Sequence, residues 1–185
     1  PPDYGIDRNQ FGSTADQPYV LFLHGTTRDD KHWPDEYWKT LCKLLCESGV
    51  TVKIPWWSDV EHRRAQIIAD VHQRAELLPR THLAGMANVI AHAAAVVAVD
   101  TGLGHLAAAL AVPTLSLYGP TSPTLIGAYG PNQFHLRAID FTLSGTARVQ
   151  PAIFAPLTPA IVFAKVRELL AHPLLASSAS HLGTS

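Results

Sequence analysis

The fold of this 185-residue chain is decided by the stretch Val96-Val-Ala-Val-Asp-Thr-Gly-Leu-Gly-His105. Its valine-rich start is typical of a strand that is buried on both faces of a parallel sheet. A glycine turn follows at Asp100–Gly102, and an alanine-rich helix is expected to begin near Gly104. The first N–H groups of a helix have no partner inside the helix, and the helix dipole adds partial positive charge there. The stretch therefore predicts an anion site, which we expect to hold a phosphorylated ligand.

Segments typical of strands alternate with segments typical of helices along the chain. Six strands are predicted, at 19–24, 50–54, 75–78, 96–99, 113–118 and 134–137. Four further helices are predicted, with their starts at Asp35, Ser58, Thr81 and Thr158-Pro159. This alternation favours an α/β fold with a doubly wound parallel sheet of the Rossmann-like type.

Composition excludes several classes of protein. The net charge of −1 provides no basic field for binding nucleic acid. No apolar run reaches the roughly 18–20 residues that span a bilayer. Hydrophobic residues make up 47% of the chain and charged residues only 16%. The low charge suggests either a heavily buried sheet or a surface that a further domain or a membrane normally covers.

The two ends of the chain are expected to lie outside its folded domain. There is no initiator Met and no signal peptide, and residues 1–18 have the composition of a linker. We expect this linker to come from an N-terminal domain that is missing here. Residues 173–185 are rich in Ser, Ala and Gly, as in a flexible tail. The domain itself is predicted over residues 19–172.

Cys42 and Cys46 are the only cysteines, and they lie four residues apart in a helical pattern. A disulfide at this spacing would strain a regular helix, and no further Cys or nearby His completes a metal set. We therefore expect two buried free thiols, as in a reducing cytoplasm.

Each unusual polar loop of the chain follows a predicted strand. These loops are His24–His32, Trp56–Glu61, Asp100–His105 and Gly119–Thr124. Ligands of open α/β sheets bind beyond the carboxyl ends of the strands, where such loops meet. The four loops are therefore expected to form one binding site.

The first loop offers hydroxyls at Thr26 and Thr27 and cations at Arg28 and Lys31, which suit phosphate oxygens. Equally, the loop could be solvated, with Asp29-Asp30 neutralising the two cations. Neither the G-x-G-x-x-G pattern of dinucleotide folds nor the P-loop pattern occurs in the chain.

Two further positions each have more than one interpretation. Glu61 fits the capping box Ser58-Asp-Val-Glu61, and it also fits the acid after strand two that contacts ribose hydroxyls in nucleotide folds. Trp56 and Trp57 fit packing in the core or against another domain better than stacking on a base.

The opening stretch itself carries two candidate ligand contacts. Asp100 could cap its helix or accept hydrogen bonds from sugar hydroxyls. A carboxylate is repelled by a diphosphate, so the sugar is the more reasonable ligand for Asp100. His105 lies in the first turn of the helix, where it could donate to a phosphate oxygen or be an ordinary, partly buried histidine.

Three stretches together resemble the lipopolysaccharide heptosyltransferases of glycosyltransferase family 9. They are His24-Gly-Thr-Thr-Arg-Asp-Asp-Lys-His-Trp-Pro34, Asp100-Thr-Gly-Leu-Gly-His105 and Tyr118-Gly-Pro-Thr-Ser-Pro-Thr-Leu-Ile-Gly127. The likeness extends from about Tyr19 to Arg137 with co-linear spacing. The Asp-Thr-Gly-x-x-His turn indicates the broad family, and the Asp-Lys-x-Trp-Pro loop favours heptosyltransferase I over heptosyltransferase II.

The resemblance implies the C-terminal, donor-binding half of a two-domain GT-B enzyme. Its donor would be ADP-L-glycero-β-D-manno-heptose, and the acceptor, Kdo-lipid A, would bind through the missing N-terminal domain. Transfer would invert the anomeric carbon, with no catalytic metal and no cofactor. A cytoplasmic location is implied, with room for peripheral contact at the inner membrane.

The resemblance also implies a role for each matching residue. Thr26, Thr27 and Lys31 would hold the diphosphate, and Glu61 would contact the adenosine ribose. Asp100 would face the heptose, and the phosphate and sugar site would be completed by Thr101, Gly102 and His105. Lys31, together with the helix N-terminus, would stabilise the departing ADP.

Two departures from the family affect these expectations. Gly104 stands where many relatives are expected to have a small hydroxyl residue, so one contact would be lost. The general base of the family is an aspartate near the start of the N-terminal domain. We therefore expect this chain to bind ADP or ADP-heptose without transferring heptose. The alternatives are heptosyltransferase II, another GT-B nucleotide-sugar enzyme such as an epimerase, and a non-catalytic nucleotide-binding module.

Overall fold

A computed structural model describes the chain at residues 6, 8–12, 17–122, 130, 132–143 and 148–171. The described residues form six strands: β1 Tyr19–Leu23, β2 Thr51–Ile54, β3 Ala75–Leu77, β4 Ala95–Val99, β5 Thr114–Tyr118 and β6 Gln133–Arg137. Their α-helices are α1 Asp35–Glu47, α2 Asp59–Ala69, α3 Leu83–His92, α4 Gly102–Ala109 and α5 Pro159–Ala171. Short 3₁₀ helices lie at Arg8–Phe11, Asp29–Lys31, Ala138–Asp140 and Ala152–Phe154.

The six strands form one parallel sheet in the order β3-β2-β1-β4-β5-β6. This confirms the predicted doubly wound sheet, because the chain first runs outward from β1 to β3 and then from β4 to β6. The two halves meet where β1 pairs with β4, with Leu23 opposite Ala98. The order of the strands reverses at that pair, which opens a crevice at the carboxyl edge of the sheet.

The core has two layers because side chains of a strand alternate between the two faces of the sheet. On one face, Val20 and Phe22 of β1 pack with the buried sides of α1, α2 and α5. On the other, Leu21 and Leu23 pack with α3 and α4. All five residues of β4 are buried, as its valine-rich sequence predicted.

The starts of the helices confirm the predicted cap at Ser58 and the predicted start at Pro159, correct two predicted caps and move one start by two residues. Ser58 caps α2 as expected. At α1 the cap is Pro34, whose carbonyl accepts from Tyr37 N–H at 2.9 Å, so that Asp35 is the first helical residue. For α3 the cap is His82 instead of Thr81, because its ring accepts from Gly85 N–H at 3.1 Å.

The helix after β4 begins at Gly102, earlier than the expected Gly104. Thr101 is its N-cap and keeps an extended backbone. Gly102 and Gly104 suggested a longer turn, but both lie within α4, which packs directly behind β4. Two residues, Asp100 and Thr101, are enough to connect the strand to the helix.

The described part of the predicted linker contacts the domain. Arg8 Nε donates to Ala91 O at 2.5 Å, and Phe11 packs against the core on the side of α3. The assignment of residues 1–18 as a linker remains a prediction, and the predicted tail at 173–185 lies outside the described residues. Among the helices that the structure describes, none is long and apolar enough to cross a membrane.

Cys42 and Cys46 lie buried on α1 as free thiols, in agreement with their helical spacing. The hydrogen bond with the neighbouring Cys46, together with burial, raises the pKa of the Cys42 thiol.

Trp33 anchors the loop after β1 to the opposite end of the chain. Its ring is fully buried and packs edge-on against Trp38 at 5.1 Å between centroids. Its Nε1 donates to Leu157 O at 2.9 Å, just before α5 begins. The loop that carries the candidate cations is therefore tied down at its end.

Replacing Trp33 by Phe should lower the free energy of unfolding by about 1–3 kcal/mol, because the buried Leu157 carbonyl loses its donor. Trp57→Phe is the matched control, since Trp57 is 40% exposed, and it should change stability by less than about 0.5 kcal/mol. Urea unfolding of both variants measures the difference. Equal losses would show that the Trp33 hydrogen bond does not stabilise the fold.

Candidate functional site

A cleft of about 720 Å³ opens at the carboxyl ends of β1, β2 and β4. All eight residues that the sequence singled out for ligand binding line this cleft: Thr26, Thr27, Lys31, Glu61, Asp100, Thr101, Gly102 and His105. The three loops that carry these residues follow β1, β2 and β4, which are neighbours in the sheet. Parallel pairing therefore brings together residues from distant parts of the sequence.

Lys31 and Asp100 form an ion pair across the reversal point of the sheet. Lys31 Nζ lies 2.6 Å from Asp100 Oδ2, and the side chains are only 15% and 8% exposed. Limited contact with water strengthens such a pair and makes it less sensitive to salt than a surface pair. The candidate phosphate-binding lysine is thus already held at the cleft.

The two cations of the first loop behave differently. Arg28 is exposed, and its Nε donates to Asp30 Oδ1 at 3.0 Å. That hydrogen bond raises the pKa of the Arg28 guanidinium and lowers the pKa of the Asp30 carboxyl. The solvated interpretation of the loop thus describes Arg28, whereas Lys31 turns inward to Asp100 and away from Asp29 and Asp30.

Glu61 forms the predicted capping box with Ser58. Its backbone N–H donates to Ser58 Oγ at 3.3 Å, and its Oε2 accepts from the N–H groups of Trp57 at 2.7 Å and Ser58 at 3.3 Å. Its other carboxylate oxygen lies against Gly25, where a Cβ atom would come within 2.4 Å of Oε1. One oxygen therefore orders the loop after β2, and the other reaches the loop after β1.

The start of α4 is open to the cleft. Apart from its chain neighbours and the backbone of its own helix, no described heavy atom lies within 4 Å of a Cβ placed at Gly102, and Thr101 makes no side-chain cap. The first N–H groups of the helix can therefore meet an anion directly. Thr26 Oγ1 donates to Asp100 O at 3.2 Å and ties the first loop to this turn, while His105 is exposed at the cleft.

Gly104 is buried behind this turn. A Cβ atom there would lie 3.5 Å from the Cβ of Ala98, an ordinary contact distance. The position therefore has room for a small side chain, so glycine is not required by packing.

Aromatic and aliphatic side chains form the opposite wall of the cleft. Trp56 is half-buried, and its Nε1 donates to Leu78 O at 2.8 Å. Trp57 is 40% exposed and Leu83 is 61% exposed, and both line the cleft. The sequence predicted packing for the two tryptophans. It did not single out Leu83, which is an unremarkable helix residue until the fold brings it to the cleft.

His24 lies at the floor of the cleft and was also missed as a candidate. It is 1% exposed, and its Nε2 lies 3.0 Å from Pro55 O. Since a carbonyl oxygen only accepts, Nε2 carries the proton of the neutral ring. Nδ1 is buried without a described partner. Burial lowers the pKa of His24 to about 4, so the ring is neutral near pH 7. A polar residue at the end of an otherwise apolar strand was the available signal.

Within the part of the chain that the structure describes, no group of three or more His, Cys, Asp or Glu side chains is arranged to hold a metal ion. The charged groups of the cleft are instead the ion pair and Glu61.

A doubly wound parallel sheet with a polar cleft at its reversal point defines an α/β domain of the Rossmann-like class, in which ligands bind at that point of the sheet. Residues 2–150 match glycosyltransferase family 9 (heptosyltransferase). The chain belongs to this family.

Individual relatives give the same result. The chain is 46% identical over 190 residues to lipopolysaccharide heptosyltransferase 1 of Pseudomonas aeruginosa, covering 92% of this chain and 54% of that protein. The solved structure of E. coli heptosyltransferase WaaC with ADP superimposes with a TM-score of 0.75 at 42% identity, covering 86% of this chain and 47% of that one. WaaC with ADP-2-deoxy-2-fluoro heptose gives a TM-score of 0.73 at 41% identity, covering 87% and 47%. The chain thus spans about half the length of the relatives that it matches.

The comparisons favour heptosyltransferase I over heptosyltransferase II, as the first loop predicted. Identity to lipopolysaccharide heptosyltransferase 2 of E. coli is 33% over 122 residues, covering 62% of this chain and 35% of that protein. This value is well below the 46% found with the type 1 sequence of P. aeruginosa.

Replacing Gly25 by Ala should displace Glu61, because the new Cβ would lie 2.4 Å from its Oε1. Loss of the capping box should lower the free energy of unfolding by about 1 kcal/mol. Gly102→Ala is the matched control, since its Cβ meets no atom within 4 Å. Thermal and urea unfolding measure both, and a Gly25→Ala variant as stable as Gly102→Ala would contradict this close contact.

The neutral His24 should make stability depend on pH. Its pKa is about 4 when folded, against an ordinary value of 6.5, so the unfolded chain binds the extra proton between these values. The free energy of unfolding should therefore fall as the pH drops from 6.5 to 4, by on the order of 3 kcal/mol. Urea unfolding across this range, compared with His24→Gln, isolates the contribution. Parallel pH curves for the two proteins would rule it out.

Proposed function

We propose that this chain is the donor-binding half of an inverting heptosyltransferase, and that the whole protein transfers heptose from ADP-L-glycero-β-D-manno-heptose to Kdo-lipid A. One observation carries the proposal: a single cleft collects the eight residues to which the family resemblance gives a role. The polar groups of this cleft suit a nucleoside diphosphate sugar. Backbone N–H groups and an ammonium group can bind the phosphates, and carboxylates can accept hydrogen bonds from the sugar hydroxyls.

The diphosphate is proposed to bind between Lys31 and the start of α4. Gly102 at the start of α4 lines the same cleft as Thr26 and Thr27, so the first N–H groups of the helix and the two hydroxyls can contact the diphosphate together. A lysine has three N–H donors, so Lys31 can contact a phosphate oxygen and still hold Asp100. His105 adds a further donor from the exposed side of the helix.

The nucleoside is proposed to lie over the second loop. Oε2 of Glu61 is occupied by backbone N–H groups, which leaves Oε1 for the ribose hydroxyls. Trp57 and Leu83 supply an apolar wall at the same end of the cleft, suited to one face of the adenine ring. The capping role of Glu61 and its contact with ribose are therefore compatible, because each uses a different oxygen.

The heptose is proposed to face Asp100, whose carboxylate accepts hydrogen bonds from sugar hydroxyls. An acceptor hydroxyl would attack the anomeric carbon from the side opposite ADP, which inverts that carbon and breaks its bond to phosphate. The general base that takes the acceptor proton is proposed to come from the other half of the whole protein. Lys31 and the α4 N–H groups would stabilise the charge that develops on ADP, and no metal ion is needed for this step.

The location of the reaction follows from these substrates. We propose that the protein works in the cytoplasm, where ADP-heptose would be available, with peripheral contact at the inner membrane that holds the lipid acceptor.

Calorimetric titration with ADP, ADP-heptose and UDP-sugars tests the proposal. The chain should bind ADP and ADP-heptose and should discriminate against UDP-sugars, because a pyrimidine covers less of the Trp57 and Leu83 wall. A preference for UDP would overturn the assignment in favour of another nucleotide-sugar enzyme.

Lys31→Ala should weaken ADP binding by about ten- to a hundredfold, the range for a hydrogen bond that involves a charged group. Removing the lysine also leaves Asp100 to repel the diphosphate. Lys43→Ala is the matched control, because Lys43 lies exposed on α1, where it pairs with Glu47 at 3.8 Å. Unchanged ADP affinity in Lys31→Ala would place the diphosphate elsewhere.

A further inference from the structure

Asp100 is held by a third loop to which the proposed function gives no role. Thr121 lies in the turn after β5, and its Oγ1 donates to Asp100 Oδ2 at 3.0 Å. Lys31 Nζ donates to the same oxygen at 2.6 Å. We propose that Thr121 is a positioning residue, which orients the Asp100 carboxylate toward the donor sugar. This inference rests on the proposed function, in which Asp100 faces the heptose.

The pattern of hydrogen bonds on Asp100 leaves one oxygen for a ligand. Both described donors reach Oδ2, and no described donor reaches Oδ1. Each carboxylate oxygen accepts about two hydrogen bonds, so Oδ1 keeps its full capacity for sugar hydroxyls. The two donors come from the loops after β1 and β5, the strands that flank β4 in the sheet, and they meet at Oδ2.

An uncharged partner of Asp100 matters when ADP-heptose, the sugar donor, binds. A diphosphate attracts the Lys31 ammonium and repels the Asp100 carboxylate. The ion pair is therefore weakened at the moment when Asp100 has to stay in place. The hydroxyl of Thr121 carries no charge, so its hydrogen bond to Oδ2 does not compete with the diphosphate. Thr121 thus keeps Asp100 oriented while Lys31 is shared with phosphate.

The turn that carries Thr121 is held in place by packing. A Cβ atom at Gly119 would come within 2.6 Å of Phe154 Cζ, so the backbone of the turn lies directly on that fully buried ring. Tyr118, at the end of β5, is also buried. Thr121 follows three residues later and is itself half-buried. The start of the turn, two residues before Thr121, is therefore held against the core.

Binding measurements on the chain separate this role from general damage. Thr121→Val keeps the shape of the side chain and removes the hydroxyl, so it should weaken ADP-heptose binding by about tenfold while ADP affinity changes less than about twofold. Thr121→Ser should restore ADP-heptose binding. Thr40→Val, on the exposed face of α1, removes a similar hydroxyl far from the cleft and should alter neither affinity.

A second measurement needs no ligand. Three-bond NMR couplings to Asp100 Cγ report its χ1 rotamer. In Lys31→Ala, Thr121 alone should keep Asp100 in one rotamer. In the double variant Lys31→Ala/Thr121→Val, the couplings should average over several rotamers, and Thr121→Ser in place of Val should restore the single one.

The outcomes distinguish this inference from the proposed function. Equal losses for ADP and ADP-heptose in Thr121→Val, or no rescue by Thr121→Ser, would overturn the positioning role. A single Asp100 rotamer in the double variant would also overturn it. If the unaltered chain bound no ADP, the proposed function would fail, and the rotamer measurement would then decide the role of Thr121 by itself.

Discussion

The ion pair between Lys31 and Asp100 is the interaction on which the cleft depends. It joins the loops after β1 and β4, the two strands at which the order of the sheet reverses. A largely buried pair is costly to form unless both charges have good partners, and here a threonine hydroxyl adds a second donor to the carboxylate. Removing either charge would leave the other one buried and unpaired. The pair therefore fixes the relative position of the two loops.

The same pair determines which positive groups of the cleft are available to an anion. Since Asp100 neutralises Lys31, the open positive groups are the N–H groups at the start of α4. A diphosphate that reaches them also approaches the ammonium, and the lysine can then divide its three donors between carboxylate and phosphate. A cleft built in this way offers hydrogen-bond donors to an anion without carrying a large excess of positive charge, in accord with the net charge of −1.

Much of the fold and many of the residues that line the cleft could be predicted, because they follow from the local pattern of the sequence. A valine-rich run that is buried on both faces predicts a central strand, and a Ser-x-x-Glu spacing predicts a capping box at Ser58. Parallel pairing then places all loops after strands at one edge. Helix starts were less predictable, because caps at Pro34 and His82 use a backbone carbonyl and an imidazole that sequence rules do not favour.

The sequence by itself determined the alternation of strands and helices, the two-sided burial of β4 and eight of the residues that line the cleft. Only the tertiary structure decided which partner each polar group takes. Lys31 has two carboxylates beside it in the chain, yet it pairs with Asp100, 69 residues away. Thr121 reaches the same carboxylate across 21 residues. The reason is physical: periodicity specifies which face a side chain occupies, whereas its partner depends on which strands are neighbours and on how the loops between them pack.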